Sequence, residues 1–352
     1  YKQMTGNIIS ATKVEPAGKV VNSAASGVWN LQDQYDYRRG DNWPSTDNAV
    51  PTGMIAGGES SSAVTNIIDS ISIASTGNAT DFGNLSVARF YLAAGTIASA
   101  TRGVFAAGYD NSNSLNTIDY ITIASAGNAT DFGNLSTGTR YPGAFSSATR
   151  GVIFGGATDG ANQVNVMEYI TIGSTGNATD FGDLSTARAK ISGLASTTRG
   201  VATGGTNSGS PSNVIEYVTI ANTGNPTDFG DLLVGIGELC SLSSNVRGIV
   251  AGGLGNDSHY GQLQYITIAS TGNATDFGDM TVESNARLQP CGISNPTRGV
   301  IAGGASNNAQ NYSNVMQYIT IASAGNTTDF GDLTVGRFGV AGCSGSHGGI
   351  AA

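Results

Sequence analysis

The chain has 352 residues, a net charge of −9 and only 16 Lys and Arg residues. Proteins that bind nucleic acid neutralise its phosphates with such cations, so the composition argues against a nucleic-acid partner. With 39% apolar and 12% charged residues, the chain is not typical of disordered proteins. No apolar run approaches the ~20 residues of a membrane-spanning helix, so we expect no membrane insertion.

Residues 1–50 contain both tryptophans of the chain and are predicted to form an anchor segment. Within it, residues 31–39 carry the signals of a short helix, with Asn30 as N-cap and Gly40 after the last turn. Two exposed tryptophans would be unfavourable, so we expect them to pack on the rest of this chain or on another protein. The residues expected to dock are Trp29, Tyr35, Tyr37, Arg38, Arg39 and Trp43.

From residue 51 onward, two independent markers repeat six times in the same register. The first is an Arg-Gly-aliphatic sequence that ends in Gly-Gly, with a weaker first copy at 51–58. Its aligned glycines are Gly53, Gly103, Gly151, Gly200, Gly248 and Gly299. The second is Asp-Phe-Gly, with aspartates Asp81, Asp131, Asp180, Asp228, Asp276 and Asp329.

Each repeat is predicted to contain four β-strands, which we name a to d. In the fourth repeat, strand a lies in 188–196, strand b in 199–205, strand c in 213–221 and strand d in 226–233. Strands b and c are nearly continuous apolar runs, as expected for strands that are buried on both faces. The Gly-Gly pair allows a turn after strand b without a Cβ clash. Four-stranded sheets stacked face to face predict an all-β propeller.

The first repeat lacks its own strand a, because residues 51–85 supply only strands b, c and d. Residues 337–346 have the pattern of the missing strand. We therefore predict a closed six-bladed ring over residues 51–352, because closure removes exposed sheet edges. The last six residues, HGGIAA, are either a frayed tail or the start of a seventh blade.

The order Arg, apolar run, Gly-Gly, Tyr-containing strand and late aromatic residue resembles the kelch repeat, which forms four-stranded propeller blades. The kelch Arg matches Arg89, Arg140, Arg188, Arg287 and Arg337. The kelch Tyr matches Tyr120, Tyr169, Tyr217, Tyr265 and Tyr318, and Phe replaces the late Trp. The first repeat departs with Ser70 at the Tyr position, and the fifth departs with Gly237-Glu238 at the Arg position.

GVWNLQDQYDYRRGDNWP, followed by repeats such as YITIASTGNATDFGDL, resembles virion structural proteins of tailed bacteriophages, especially marine cyanobacterial phages. This resemblance implies a virion location and a non-enzymatic propeller in a tail fibre, baseplate or other surface appendage. It further implies that residues 1–50 bind other virion proteins, and it leaves a homo-oligomer open. The alternative is a soluble carbohydrate-binding lectin.

The Asp-Phe-Gly triplet also occurs in kinases, but six copies without a catalytic His-Arg-Asp sequence argue against that activity. We expect the Asp to cap a turn and the Phe to pack between blades. Four copies continue with a second Asp, for which turn capping and pairing with arginine are favoured over calcium binding.

Histidines and cysteines are few: His259, His347, Cys240, Cys291 and Cys343. The cysteines match no metal-binding or disulfide spacing and are expected to be small packing residues. Copper-radical oxidases on kelch-like folds need His and Tyr ligands, which two histidines supply poorly. We expect no enzyme activity, no cofactor and no metal.

Ten of the twelve arginines occupy two repeat positions, and acids recur on strand c. We therefore expect Arg–carboxylate contacts between blades. The acids are Asp69, Asp119, Glu168 and Glu216.

The loops of the predicted ring fall into two classes. The c–d loops are nearly identical, as in STGNATDF, whereas the b–c loops differ completely. Difference between repeats favours recognition of a ligand, such as a host-surface glycan or protein, although unconstrained loops would look the same. The candidate ligand-binding residues are Tyr109, Asp110, Asn111, Asn256, His259, Tyr260, Asn311 and Tyr312.

Overall fold

The computed structural model describes residues 52–255, 261–281, 287–306 and 311–350, and within these ranges it contains β-strands and no helix. The predicted anchor segment, its short helix and its six docking residues lie outside the described residues. The boundary after residue 50 therefore stays a prediction.

Six four-stranded antiparallel sheets form the blades of a propeller. The b strands are β1 Thr52–Ala56, β5 Arg102–Ala106, β9 Arg150–Phe154, β13 Arg199–Thr203, β19 Arg247–Ala251 and β23 Arg298–Ala302. The c strands are β2 Ile67–Ser72, β6 Thr117–Thr122, β10 Val166–Thr171, β16 Val214–Thr219, β20 Gln262–Thr267 and β26 Val315–Thr320.

The outermost strands of the blades are the d strands. They are β3 Thr80–Asn84, β7 Thr130–Asn134, β11 Thr179–Asp183, β17 Thr227–Asp231, β21 Thr275–Asp279 and β27 Thr328–Asp332. The innermost are the a strands, β4 Ile97–Ala98, β8 Gly143–Ser146, β12 Ser192–Ala195, β18 Cys240–Ser243, β22 Cys291–Ser294 and β28 Ala341–Ser344. Two small hairpins lie in b–c loops: β14 Thr206–Asn207 with β15 Ser210–Pro211, and β24 Ala305–Ser306 with β25 Asn311–Tyr312.

The ring closes as the sequence predicts. The first blade has the strand order β28-β1-β2-β3, and Met54 of β1 pairs with Cys343 of β28. Both ends of the propeller are thus held in one sheet. Six blades are confirmed.

The core consists of apolar layers between neighbouring blades. In one layer, Phe82 of strand d packs with Phe105 and Ile121 of the next blade. The prediction for the Phe of Asp-Phe-Gly is therefore confirmed. The prediction for its Asp is wrong, because Asp81 and its five counterparts lie within strand d with exposed side chains and do not cap a turn.

The Gly-Gly pair ends strand b with a sharp turn, as predicted. In the fourth blade, Gly204 and Gly205 have φ angles of 61° and 96°. A Cβ on Gly204 would lie 2.6 Å from the Ile236 carbonyl oxygen. A side chain at this position would therefore meet both backbone strain and a clash.

The c–d loops join each blade to the blade before it. Gly127 N–H donates to the Phe82 carbonyl at 2.8 Å, and Asn128 Oδ1 accepts from Asn84 N–H at 3.0 Å. A Cβ on Gly83 would lie 2.3 Å from the Gly127 oxygen, so the Gly of Asp-Phe-Gly permits this approach. The loop asparagines that accept such a bond are Asn78, Asn128, Asn177, Asn225, Asn273 and Asn326. This contact explains why the loops are alike.

The strand b arginines form no ion pair with a carboxylate of the described residues, contrary to the prediction. All five stack on the strand c Tyr of their own blade, with guanidinium-to-ring distances of 4.2 to 4.5 Å. Each also donates to a backbone carbonyl of the next blade, as Arg102 does to Ile172 at 2.7 Å. In the first blade, Thr52 and Ser70 replace the Arg and the Tyr together. The strand b Arg and the strand c Tyr are therefore present together or absent together in each blade.

Three arginines of the second set form buried ion pairs with strand c acids. A fourth, Arg287, is buried, but the matching strand c residue is Gln317. Arg89 contacts Asp119 at 2.8 Å and Arg337 contacts Asp69 at 2.7 Å, both with fully buried side chains. Arg188 pairs with Glu216 in the same way. Each Arg lies on a d–a connection and its acid lies in the blade that the connection enters. The expectation of Arg–carboxylate contacts is confirmed for these three.

Arg140 does not belong to this set, so its assignment to the kelch Arg position is wrong. The paired buried arginines each lie four residues after the Leu that follows strand d. In the third blade, the residue at this position is the buried Thr139. Arg140 is one residue further and lies 4.6 Å over the Tyr109 ring. In the fifth blade the same count places buried Ile236, and not Gly237-Glu238, at the Arg position.

The last described residues are neither a frayed tail nor a seventh blade. Residues 345–350 follow β28 and contact the a strands at the centre of the ring. The buried His347 Nε2 lies 3.2 Å from Ser146 Oγ, and its Nδ1 accepts from Gly349 N–H at 3.0 Å. Gly348 N–H donates to the Ser243 carbonyl. These residues therefore plug the central channel at its a–b end.

Candidate functional site

The face that carries the b–c loops and the d–a connections, here called the connector face, has a funnel at its centre. Six residues, one from each d–a connection, surround it: Tyr91, Tyr141, Lys190, Glu238, Gln289 and Gly339. All six have positive φ angles, between 52° and 66°. The left-handed backbone turns each connection inward before strand a begins.

Backbone hydrogen bonds join the six residues into a closed circle. Tyr141 N–H donates to the Tyr91 carbonyl at 2.9 Å, and Lys190 N–H donates to the Tyr141 carbonyl at 2.9 Å. The pattern continues through Glu238, Gln289 and Gly339, and Tyr91 N–H completes it on the Gly339 carbonyl at 2.8 Å. This circle fixes the positions of the side chains at the mouth of the funnel.

The side chains of the mouth form a linked set. The Tyr91 and Tyr141 rings stack with centroids 3.9 Å apart, and the Lys190 ammonium lies 5.4 Å from the Tyr141 centroid on the way to its ion pair with Glu238. Gln289 Oε1 is buried and has no hydrogen-bond partner among the described residues. An unpaired amide oxygen without solvent contact therefore lies near a paired cation and anion.

A second, deeper ring of the funnel is apolar. The residue after each of the six mouth residues points to this level: Leu92, Pro142, Ile191, Leu239, Pro290 and Val340. Together the two rings surround a cavity of about 30 Å³, which has room for one or two water molecules. This volume is far below the ~300–1,000 Å³ of small-molecule sites.

Burial governs the ionisation of the mouth tyrosines. It raises the pKa of Tyr141 to about 12, with the Glu238 charge acting in the same direction. It also raises the pKa of Tyr91 well above its usual range, assisted by Tyr141, Glu238 and Glu59. Both hydroxyls stay protonated at neutral pH and can donate hydrogen bonds.

The predicted ligand residues are only partly brought together. Tyr109 lies 5.7 Å from Phe90, and Tyr312 lies 5.3 Å from Phe338, between ring centroids. Phe90 and Phe338 contact each other and Tyr91, so both predicted tyrosines extend the aromatic side of the funnel.

The other predicted loop residues lie at loop tips. The Asp110 carboxylate accepts from Ser112 N–H at 2.8 Å and Asn113 N–H at 2.7 Å, and these backbone hydrogen bonds lower its pKa. Asp110 therefore shapes its own loop. Asn111 and Asn311 are exposed. Asn256, His259 and Tyr260 lie outside the described residues.

Apart from Tyr109 and Tyr312 at its edge, the funnel was not predicted from the sequence. In the sequence, the funnel could be found from one position that keeps its spacing in the repeats while its residue type changes. This position is six residues after the Leu that follows strand d, and it holds Tyr91, Tyr141, Lys190, Glu238 and Gly339. Strand-pattern arguments pass over such a position, because it belongs to no strand.

The thiols and the described imidazole lie in the interior. Cys240, Cys291 and Cys343 are buried and not disulfide-bonded, and burial raises the pKa of each thiol. Their predicted role as packing residues is confirmed. Burial lowers the pKa of His347 to about 4. Within the described ranges, no group of three or more His, Cys, Asp or Glu side chains is arranged to hold a metal ion.

No protein-family model matches the chain, and no curated protein is similar to it. Among the described residues, no helix has the length and hydropathy to cross a membrane.

Proposed function

We propose that the chain is a non-enzymatic structural protein of a tailed-phage virion, in which the propeller is displayed on a tail fibre, baseplate or other appendage and its connector face contacts the host surface. Residues 1–50 join it to other virion proteins. The resemblance of the repeats and of the first fifty residues to such virion proteins supports the location.

The difference between the two faces of the ring is the observation that carries the binding role. On the face that carries the a–b and c–d loops, the six nearly identical c–d loops form hydrogen bonds between blades, as Asn128 does with Asn84. On the connector face, the b–c loops differ from blade to blade and the mouth residues change chemistry at one constant position. The first side supports a scaffold role and the second supports recognition.

The placement of the reactive groups supports a non-enzymatic protein. The three thiols have raised pKa values and no solvent access, so they are poor nucleophiles. The imidazole of His347 closes the channel and faces Ser146, without access to the funnel mouth. Both kinds of side chain have structural uses here.

A soluble lectin is the second candidate, because the b–c loops on the connector face differ from blade to blade, as the loops of a ligand-binding surface do. The virion proposal is tested by immunogold electron microscopy of purified particles with an antibody against the full chain. We expect gold at tails or surface appendages, and the chain in the particle proteome. Absence of the chain from particles, with free protein in the lysate, would support the lectin instead.

A further inference from the structure

We propose that the third blade contains a cation site that takes a guanidinium group from outside the blade. The site is a cavity between the d–a connection that enters this blade and the blade's strands b and c, and we call it the third-blade cavity. Its polar groups belong to Thr139, Gly155, Val166 and Glu168. This site is independent of the proposed host contact.

Within the described residues, the third blade alone has a strand c acid without the arginine that pairs with it elsewhere. Glu168 holds the position whose acids in the first, second and fourth blades form buried ion pairs. The matching residue of the d–a connection is the uncharged Thr139. The fifth blade also lacks the arginine, but there Gln264 stands in place of the acid. The third blade therefore has the anion of the pair and lacks its cation.

Only one oxygen of the buried Glu168 carboxylate is satisfied. Its Oε1 accepts from Ser136 N–H at 2.9 Å. In the fourth blade, Glu216 accepts the equivalent bond on one oxygen and holds the arginine with the other. Glu168 Oε2 has no hydrogen-bond partner among the described residues and retains some solvent contact. A buried carboxylate without a counter-charge is strongly unfavourable, so a cation that reaches Oε2 stabilises the blade.

Backbone carbonyls supply the remaining acceptors of the site. In the fourth blade, Arg188 donates to the Gly204 and Val214 carbonyls at 2.8 and 3.1 Å. The first and sixth blades repeat this arrangement. The matching carbonyls of the third blade are those of Gly155 and Val166, which line the cavity. The Gly155 oxygen accepts no hydrogen bond from a described residue. The acceptors of a guanidinium group are thus in place without the group.

The third-blade cavity has the size and access that this ligand needs. Its volume of about 60 Å³ has room for about two to four water molecules, and a guanidinium group has about as many non-hydrogen atoms. The cavity opens beside Ser136, Thr137 and Val166, which are exposed. A calcium ion would need about six to eight oxygen ligands, whereas these acceptors are few and match the planar fork of a guanidinium group.

The test measures the thermal midpoint of the full chain in guanidinium chloride, with potassium chloride at equal concentrations as the reference. We expect a dissociation constant on the order of 1 mM for so small a ligand, so about 20 mM should nearly saturate the site and raise the midpoint. Denaturation by the same ion is small at such concentrations. The NMR shift of the Ser136 amide should saturate with the same constant, because this amide donates to Glu168.

Two variants change the site itself. Glu168→Gln removes the anion and copies the Gln of the fifth and sixth blades, so the chain should fold and binding should weaken by about tenfold or more, the effect of a lost charge-assisted hydrogen bond. Thr139→Arg supplies the guanidinium group from the chain. It should raise the midpoint without ligand and abolish the response to guanidinium. Asp183→Asn, which removes an exposed carboxylate of the same blade, is the matched control and should bind as the unsubstituted chain does.

Equal midpoints in guanidinium and potassium chloride would overturn the inference, as would an unchanged response in Glu168→Gln. A Ser136 amide shift that does not saturate would do the same. The source of the group is distinguished with N-acetylarginine methylamide. Tighter binding of this capped arginine than of the free ion indicates an arginine side chain of a partner protein, and binding of the free ion alone indicates a small solute.

Discussion

A buried arginine in this ring needs partners for its charge and for its hydrogen-bond donors. Arg337 donates to Asp69 at 2.7 Å and to the Gly57 and Ile67 carbonyls, so its charge and most of its donors are satisfied. In the fifth blade, Ile236 stands at the Arg position and the facing strand c residue is Gln264, not an acid. Both partners are therefore uncharged in the fifth blade.

Removing one partner of such a pair should be strongly destabilising. Arg337→Ile leaves the Asp69 carboxylate buried without its cation, which is expected to lower the free energy of unfolding by about 3–5 kcal/mol. The double variant Arg337→Ile/Asp69→Gln copies the fifth blade and should recover most of this loss. Urea denaturation followed by tyrosine fluorescence measures both. Equal destabilisation of the single and double variants would show that the arginine acts through packing and not through charge.

His347 should make the stability of the plug depend on pH. Burial lowers its folded pKa to about 4, opposed by the Ala98 carbonyl, whereas the unfolded side chain titrates near 6.5. The unfolded state therefore binds the proton first, and stability should fall as the pH drops from about 6.5 to about 4. His347→Gln should remove this part of the pH dependence. Thermal midpoints of the two proteins across that range are the measurement, and parallel curves would contradict the assignment.

At the scale of elements, the c–d loop is the clearest case of a repeated contact. Asn177 Oδ1 accepts from Asn134 N–H of the preceding blade at 3.0 Å. Asn177→Ala should lower stability by about 1 kcal/mol and speed hydrogen exchange at the Asn134 amide. Asp180→Ala, an exposed residue in the same blade, is the control and should do neither. Unchanged exchange at Asn134 in Asn177→Ala would mean that the loop is held by its backbone bonds alone.

Strands were predictable from the sequence because their apolar runs and Gly-Gly ends repeat six times. The closing strand β28 was predictable for the same reason. The partners of polar groups were not, because they depend on register between blades: Arg140 is one residue away from the buried position, which only a count from Leu135 reveals. The roles of the loop asparagines and of His347 were likewise hidden, since each acts on a residue that is distant in sequence.

The funnel was hidden for a different reason. Its six residues share a backbone conformation and a hydrogen-bonded circle, but no residue type. Tyr109 and Tyr312 were found because they are aromatic residues in variable loops, and both lie beside the funnel and not in it. Residue type therefore predicts the neighbourhood of this site, and backbone geometry defines the site itself.

For the whole molecule, the ring separates a constant side from a variable side. Contacts such as Gly77 N–H to the Phe330 carbonyl continue the inter-blade pattern across the junction of the sixth and first blades. Closure leaves each blade covered by two neighbours, so the outer strands and the two faces remain for partners. On this account the constant side is the scaffold and the connector face is the side that meets the host.

Cryo-electron microscopy of the particle that carries the chain tests this account most directly. We predict six-bladed rings at symmetric positions, with density for residues 1–50 joined to a neighbouring virion subunit and the funnel facing outward. Rings whose connector face is buried against other virion proteins would contradict the assignment of that face to host contact, and particles without such rings would contradict the virion role.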